Sequence, residues 1–240
     1  MVDGIENLYS PADMVEMLKG LGNLPFDILQ FGKTEDWLQA REMRIGASEA
    51  GIILGISNFK TREQLFAEKS GKRKRDYKDN EQTYRGKLLE PYIRAMFAVE
   101  HPDYDVYDGT NVLLVSKDRP WQSCSLDIIL RHRETGELTV GEIKTSENRK
   151  AWESPYCPDG YFAQLCHQLE VTDFSAALLI ARLISRSQTI AYCNRERAYY
   201  YRANNEGVLR ERKHITDTEL KFLNDLKAGV LRPSLNLSIF

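Results

Sequence analysis

Asp127, Glu142 and Lys144 are the residues of this chain whose types and spacing could do chemistry. All three lie in the stretch SCSLDIILRHRETGELTVGEIKT, residues 123–145. Ile128, Ile129 and Leu130 form an apolar β-prone run, Arg133-Glu134-Thr135-Gly136 supplies turn chemistry, and Leu138, Val140 and Ile143 mark a return strand. The midpoint between Asp127 and Glu142 falls inside that turn. A symmetric hairpin therefore sets the two acids opposite each other on one face, with Cβ atoms roughly 5 Å apart. Lys144, two residues beyond Glu142, leaves the strand on the same face. Carboxylates this close repel, and one takes up a proton unless a cation lies between them. Two readings follow. One is a solvated hairpin face on which Glu142 and Lys144 pair weakly. The other is a divalent-metal site in which Asp and Glu hold the ion and Lys steadies an attacking hydroxide.

The elements around the hairpin offer further groups. Residues 84–100 (YRGKLLEPYIRAMFAVE) read as a strong helix, with Leu88, Leu89, Tyr92, Ile93, Met96 and Phe97 on one broad apolar face. Glu90 lies between those positions and needs a partner, either a nearby Arg or Lys or the same metal ion. Residues 161–172 (YFAQLCHQLEVT) read as a helix with Tyr161, Gln164 and Gln168 on one side. His167 on that helix reads as structural. The polar stretch 145–161, with Pro155, Pro158 and Gly160, suits a loop over a site. Upstream, in WLQAREMRIGASEAGIIL (37–54), one helix ends near Gly46 and Ser48 caps the next. A capping Ser with Arg41 and Arg44 just before it suits a phosphate, and an ordinary helix–turn–helix explains the pattern as well. The run KSGKRKRDYK (69–78), with Lys72, Arg73, Lys74 and Arg75 consecutive, is either a solvated loop or a strip along DNA phosphates.

The remaining pattern gives an amphipathic helix at 11–21, strands at 104–115, 174–184, 188–192 and 198–203, and a terminal helix at 216–228 with a Thr cap. That order is a mixed α/β sandwich. With 240 residues and 42% hydrophobic content, the chain reads as one domain. Residues 1–36 would be a helical extension, 37–203 the core and 204–240 a helical segment. The formal net charge of −2 means that any polyanion must be met by charge separated in space. The four cysteines, Cys124, Cys157, Cys166 and Cys193, form no C-x-x-C pair, so they read as reduced intracellular thiols, and their spacing argues against an iron–sulfur cluster. Neither a charged-then-apolar leader nor an apolar run of about 18 residues is present, so neither secretion nor a membrane span is expected.

Together these segments resemble the phage lambda exonuclease and YqaJ-type viral recombinase family of the PD-(D/E)XK nuclease superfamily. Five motifs stand in the family's order between Trp37 and about Ile184: WLQAREMRIGASEA, GKLLEP, SCSLD, GEIKT and YFAQLCHQLEVT. Two positions depart from the pattern: Leu126 stands where a Pro usually precedes the Asp, and Ile128 where a small residue often follows. The resemblance implies an α/β (α+β) restriction-endonuclease-like core, a mixed central β-sheet flanked by helices. It implies Asp127, Glu142 and the backbone carbonyl of Ile143 as metal ligands, with Glu90 completing the site through a second ion or its water. Lys144 would position and help deprotonate the attacking water, and Gln164 would orient that water or the scissile phosphate, with Tyr161 beside it. Arg41 and Ser48 match positions that grip a terminal 5′-phosphate. Lys60 falls in the stretch 57–60, where the family sets a basic residue against the DNA end.

The implied activity is a Mg²⁺-dependent 5′→3′ exonuclease on double-stranded DNA ends, releasing 5′-mononucleotides and leaving 3′ tails for strand-annealing recombination. Two ions about 4 Å apart would serve the reaction. All-oxygen ligands suit Mg²⁺ or Mn²⁺ rather than zinc, and ions beside Lys144 would push its pKa down. The implied assembly is a homotrimeric ring around DNA that hands the tail to a single-strand annealing protein, in the cytoplasm of a bacterial or phage-infected cell. The alternatives are an endonuclease of the same fold, which would cut closed circles, and a catalytically silent DNA-end-binding scaffold.

Overall fold

A computed structural model describes residues 5–75, 81–185 and 192–232, with backbone alone at 185 and 192–195. The hairpin forms in the expected register. Strand β7 (Ile128–His132) runs antiparallel to β8 (Leu138–Ser146), with Ile128 opposite Gly141 and Arg131 opposite Leu138. One more step in that register brings Asp127 level with Glu142. Gly141 has no side chain, which lets the Ile128 side chain lie directly across its Cα.

The hairpin sits inside a six-stranded mixed sheet in the order β1 (Leu8–Tyr9), β4 (Tyr104–Asp108), β7, β8, β9 (Ala176–Ser185), β10 (Tyr192–Arg202). Strands β8 and β9 pair in parallel, so the chain must cross over between them, and α6 (Asp159–Thr172) makes the crossing. Alternation along β7 decides which side chain faces which layer. Ile129 packs with Val140 and with Leu165 and Leu169 of α6. Ile128 and Leu130 pack with Ile143 against Ile93 and Phe97 of α5 (Glu81–Glu100). The sheet is thus buried on both faces, as its near-continuous apolar strands require. A smaller sheet, β2 (Phe26–Gln30), β5 (Val112–Ser116), β6 (Gln122–Cys124), β3 (Ile45–Gly46), carries the chain into the hairpin.

Several expectations change. A second, four-stranded sheet accompanies the expected mixed central one, and the first 36 residues hold strands of both as well as helix α1 (Pro11–Gly20), because β1 pairs with β4 and β2 with β5. The strand expected at 104–115 is two strands, broken at Asn111, whose φ is 58°. Of the six positions expected on the apolar face of α5, Leu89, Ile93 and Phe97 turn inward, while Leu88, Tyr92 and Met96 are exposed. The apolar arc of that helix is wider than the sheet it covers. Helix α2 (Thr34–Glu42) ends four residues before Gly46, and Gly46 rather than Ser48 caps α3 (Ala47–Ile53). The terminal helix α7 (Glu206–Ala228) begins ten residues before Thr216, under an Asn205 cap that accepts from the N–H groups of Gly207 and Val208. The strand expected at 188–192 lies outside the described residues, apart from Tyr192. Among the described residues no helix is long and apolar enough to cross a membrane.

Candidate active site

Asp127 stands just before β7. Its backbone carbonyl accepts from Gly109 N–H at 3.2 Å, and a side chain at Gly109 would collide with the Leu126 carbonyl. The turn after β4 therefore holds the acid by close backbone approach, a fit only glycine permits. From the other strand, Ile143 N–H donates to Asp127 Oδ2 at 2.7 Å. Glu142, 2% exposed, points to the opposite face of β8 from Ile143, toward α6. Its Oε1 accepts from Gln164 Nε2 at 2.6 Å and from Lys144 Nζ, and its Oε2 accepts from Gln168 Nε2 at 2.6 Å. A buried carboxylate must be paired or hydrogen-bonded, and this one is both. Gln164 and Gln168 are one helical turn apart and reach it together.

These charges disturb one another. Burial and the neighbouring Glu142 push Asp127 well above the usual carboxylate range, against the pull of Lys144. Burial also raises Glu90, helped by Glu142 and Asp108 and opposed by Arg94. Burial pulls Lys144 down, but Glu142 and Asp127 outweigh it, so its ammonium is held charged. The downward shift expected for Lys144 needs cations beside it; the carboxylates act the other way. Lys144 Nζ also lies 5.5 Å from the Tyr161 ring centre, and Tyr161 stacks on Trp152 at 5.3 Å.

The donor set fits a hard divalent cation. Carboxylates crowded enough to raise one another are relieved by such an ion, and the nearby donors are oxygens. Asp127, Glu142 and the Ile143 carbonyl are the groups that would hold it. Among the described residues no three His, Cys, Asp or Glu side chains stand ready as a ligand group. Glu90 accounts for part of this, because it pairs with Arg94 at 2.8 Å, and Arg94 also pairs with Asp108.

Lys144 and Gln164 line a cleft of about 1290 Å³, and Tyr161, Ser48 and Arg85 lie on its walls. Ser48 is exposed there as the second residue of α3. Arg41 lies apart, in a small recess with Gly46, Glu49 and Arg75, its guanidinium 4.3 Å from the Trp37 ring. That recess is organised by Glu49, which is buried and accepts from Gly46 N–H at 3.1 Å while pairing with Lys69 at 2.9 Å and Arg75 at 2.8 Å. Arg75 thus turns inward rather than along a DNA-facing strip. Lys72 lies 5.6 Å from the Phe66 ring and Arg73 is exposed, while residues 76–78 of the run are outside the described residues. Lys60 pairs with Glu68 at 2.6 Å.

Sequence reasoning missed three parts of this arrangement. Gln168 was placed beside Gln164 but given no role, although it fixes the second oxygen of Glu142. The capping acid Glu49 follows Gly46 by three residues, a spacing that a capping-box search could have found. The third is a buried ion pair, His167 with Glu219 of α7 at 2.7 Å, which no local pattern signals.

The fold and site define a class, and comparison with known proteins gives it a name. The structure superposes on the alkaline exonuclease LHK-Exo from Laribacter hongkongensis with a TM-score of 0.62 at 16% identity, covering 82% of this chain and 96% of that one. LHK-Exo in complex with dAMP gives 0.64 at 19%, covering 82% and 94%. A phage-related exonuclease from Haemophilus somnus 129PT gives 0.52 at 13%, covering 78% and 96%. The architecture is therefore the restriction-endonuclease-like fold of the alkaline exonucleases. In sequence, the YqaJ-like viral recombinase domain matches residues 36–175, and the chain belongs to that family. A Bacillus subtilis (strain 168) protein described as uncharacterized protein YqaJ is 30% identical over 152 residues, 57% of this chain and 42% of that protein. This chain thus matches less than half the length of that relative.

Proposed function

We propose that this chain is a Mg²⁺-dependent 5′→3′ exonuclease of double-stranded DNA ends that leaves 3′ single-stranded tails for recombination by strand annealing. One observation carries the proposal. Lys144 and Gln164 emerge on the wall of a large cleft with Glu142 bonded to both, and Asp127 is tied to the same strand through Ile143. Membership of a viral recombinase family and the shared exonuclease fold support it. The complex of LHK-Exo with dAMP supports release of mononucleotides by this chain too.

When bound, Mg²⁺ or Mn²⁺ supplies a hydroxide nucleophile near neutral pH and neutralises charge on the scissile phosphate and the leaving oxygen. The remaining work belongs to the chain. Asp127, Glu142 and the Ile143 carbonyl would hold the ion, and Glu90, paired with Arg94, would complete the site through a second ion or its water. Lys144, charged and anchored on Glu142, orients the attacking water or a phosphate oxygen. Gln164, on the cleft wall and bonded to Glu142 Oε1, would orient that water or the scissile phosphate, and Gln168 keeps Glu142 from swinging away. Ser48, on the cleft wall near the start of α3, is suited to a terminal 5′-phosphate, with Arg41 behind that helix start. A homotrimeric ring around DNA, and transfer of the tail to an annealing protein, belong to the same proposal. The exposed Leu88, Tyr92 and Met96 on α5 are surface of the kind that subunit contacts use.

Digestion of linear duplex labelled at its 5′ ends tests the reading. Label released as mononucleotide, with the 3′-ending strand intact, closed circles untouched and all activity lost to a chelator, is the expected result. Cutting of closed circles would instead make the protein an endonuclease. Tight binding to ends with no cutting in either Mg²⁺ or Mn²⁺ would leave the silent scaffold.

A further inference from the structure

Two large aromatic side chains stand unburied on the walls of the cleft that holds Lys144 and Gln164. Phe59 is 81% exposed and Tyr156 72%, and both line that cleft. They come from different connections. Phe59 lies between α3 and α4 (Arg62–Lys69), and Tyr156 lies in the stretch leading into α6. The two connections are built alike. Ser57 Oγ accepts from the Phe59 N–H at 3.2 Å, and Ser154 Oγ accepts from the Tyr156 N–H at 3.1 Å. Each ring is therefore carried on a turn closed by the serine two residues before it.

The connections also run side by side. A Cβ on Gly51 would lie 3.1 Å from Gly160 Cα, and a Cβ on Gly160 would lie 3.9 Å from the Ile56 carbonyl oxygen. Close glycine packing between α3 and the start of α6 thus brings the two turns to one mouth. Behind them Trp152 and Tyr161 are stacked on each other, with the Lys144 ammonium over Tyr161. Among the described residues neither Phe59 nor Tyr156 makes a ring contact of that kind. Single exposed aromatics are ordinary on protein surfaces. Two on matching turns, in one cleft with Lys144 and Gln164, are not.

We propose that Phe59 and Tyr156 are stacking contacts for unpaired nucleobases of the strand that enters this cleft. The proposal rests on the nuclease reading of the site and adds how the strand is held. Every base has a π-face, so two aromatics hold a strand without reading its sequence. Bases inside a duplex have those faces covered, so the contacts select nucleotides already freed from their partners. Hydroxyl and amide groups of Ser48, Asn58 and Asn148 share the cleft and suit the sugar–phosphate backbone.

Equilibrium binding with Ca²⁺ in place of Mg²⁺ tests this, using a fluorescent single strand and a matched strand whose terminal nucleotides are abasic. Phe59→Ala and Tyr156→Ala should each weaken binding of the normal strand about tenfold. Phe59→Trp and Tyr156→Phe should keep wild-type affinity, and no variant should change binding of the abasic strand. Equal weakening on both strands, or wild-type affinity in both alanine variants, would overturn the proposal. Digestion assays on the same proteins separate it from the reading beneath it. A wild-type protein that cuts duplex ends but binds both strands equally refutes stacking alone. One that prefers the normal strand but never cuts refutes the nuclease alone.

Discussion

The backbone N–H of Ile143 donates to Asp127 Oδ2 at 2.7 Å, tying the strand that carries Glu142 and Lys144 to the acid at the foot of its neighbour. The bond needs an oxygen acceptor but no charge. Asp127→Asn can therefore keep the hairpin mouth in place while removing the charge of a proposed metal ligand. The variant should fold with an unchanged melting temperature and lose cutting on the order of a hundredfold or more. A large drop in melting temperature would show that Asp127 serves the hairpin first and the chemistry second.

Gln168 reaches Glu142 Oε2 from a fully buried position. It does not line the cleft that holds Lys144 and Gln164, so its effect there must pass through the carboxylate it holds. Gln168→Leu should lower metal affinity or cutting rate by about 10–100-fold, as loss of a partner behind a ligand does. Raising the Mg²⁺ concentration should recover part of that loss. A variant that cuts at the wild-type rate would remove Gln168 from the site.

The hairpin was legible because strand alternation has period 2 and the turn fixes its centre, so one apolar pattern determined both register and face. The shared face of Asp127, Glu142 and Lys144 followed from that pattern, and their proposed roles from the family resemblance. The side of α5 that packs inward was not legible. Its apolar arc includes Leu88, Tyr92 and Met96 as well as Leu89, Ile93 and Phe97, and only the sheet's position selects the second set. The start of α3 was misread for a similar reason. Glu49 can act as a buried capping acid only because Lys69 and Arg75 return to it from beyond α4. The Lys60–Glu68 pair was not legible either, since Glu68 lies across a turn and on the next helix.

Glu49 offers a test of that helix start. Burial raises its pKa, but Lys69 and Arg75 outweigh burial and leave it lowered. A carboxylate depressed in the folded state contributes stability above its unfolded value and loses it as pH falls through the lowered one. Glu49→Gln should therefore destabilise the protein by about 3 kcal/mol near neutral pH, since it removes the charge that the largely buried Lys69 ammonium pairs with. The difference from wild type should shrink on acidification, as read by urea unfolding at several pH values. A pH-independent difference would point to packing rather than charge.

His167 works in the opposite direction. Its Nδ1 faces Glu219 Oε1 at 2.7 Å and its Nε2 faces the Ser123 carbonyl at 3.0 Å. Both neighbours are acceptors, so only the doubly protonated ring satisfies both. Burial lowers the pKa of His167, but Glu219 and the Ser123 carbonyl outweigh it and leave it raised. The stability from this pair is fully present below the ordinary histidine value and is lost as pH rises through the raised one. Glu219→Gln should cost about 3 kcal/mol at mildly acidic pH and less in alkaline solution. Because His167 sits between Gln164 and Gln168, the same variant should also weaken cutting. A cost that grows with pH would contradict the charged pair.

Lys144→Ala most directly tests whether Lys144, Glu142 and Asp127 form one phosphodiester-cleaving site. The wild type and the variant should be given 5′-phosphorylated linear duplex, 5′-hydroxyl linear duplex and closed circles with Mg²⁺. The wild type should rapidly degrade the 5′-phosphorylated strand, degrade the 5′-hydroxyl strand more slowly and leave circles intact. The folded variant should be slower by at least about a hundredfold. A Lys144→Ala protein that degrades the linear strand at the wild-type rate would contradict the account.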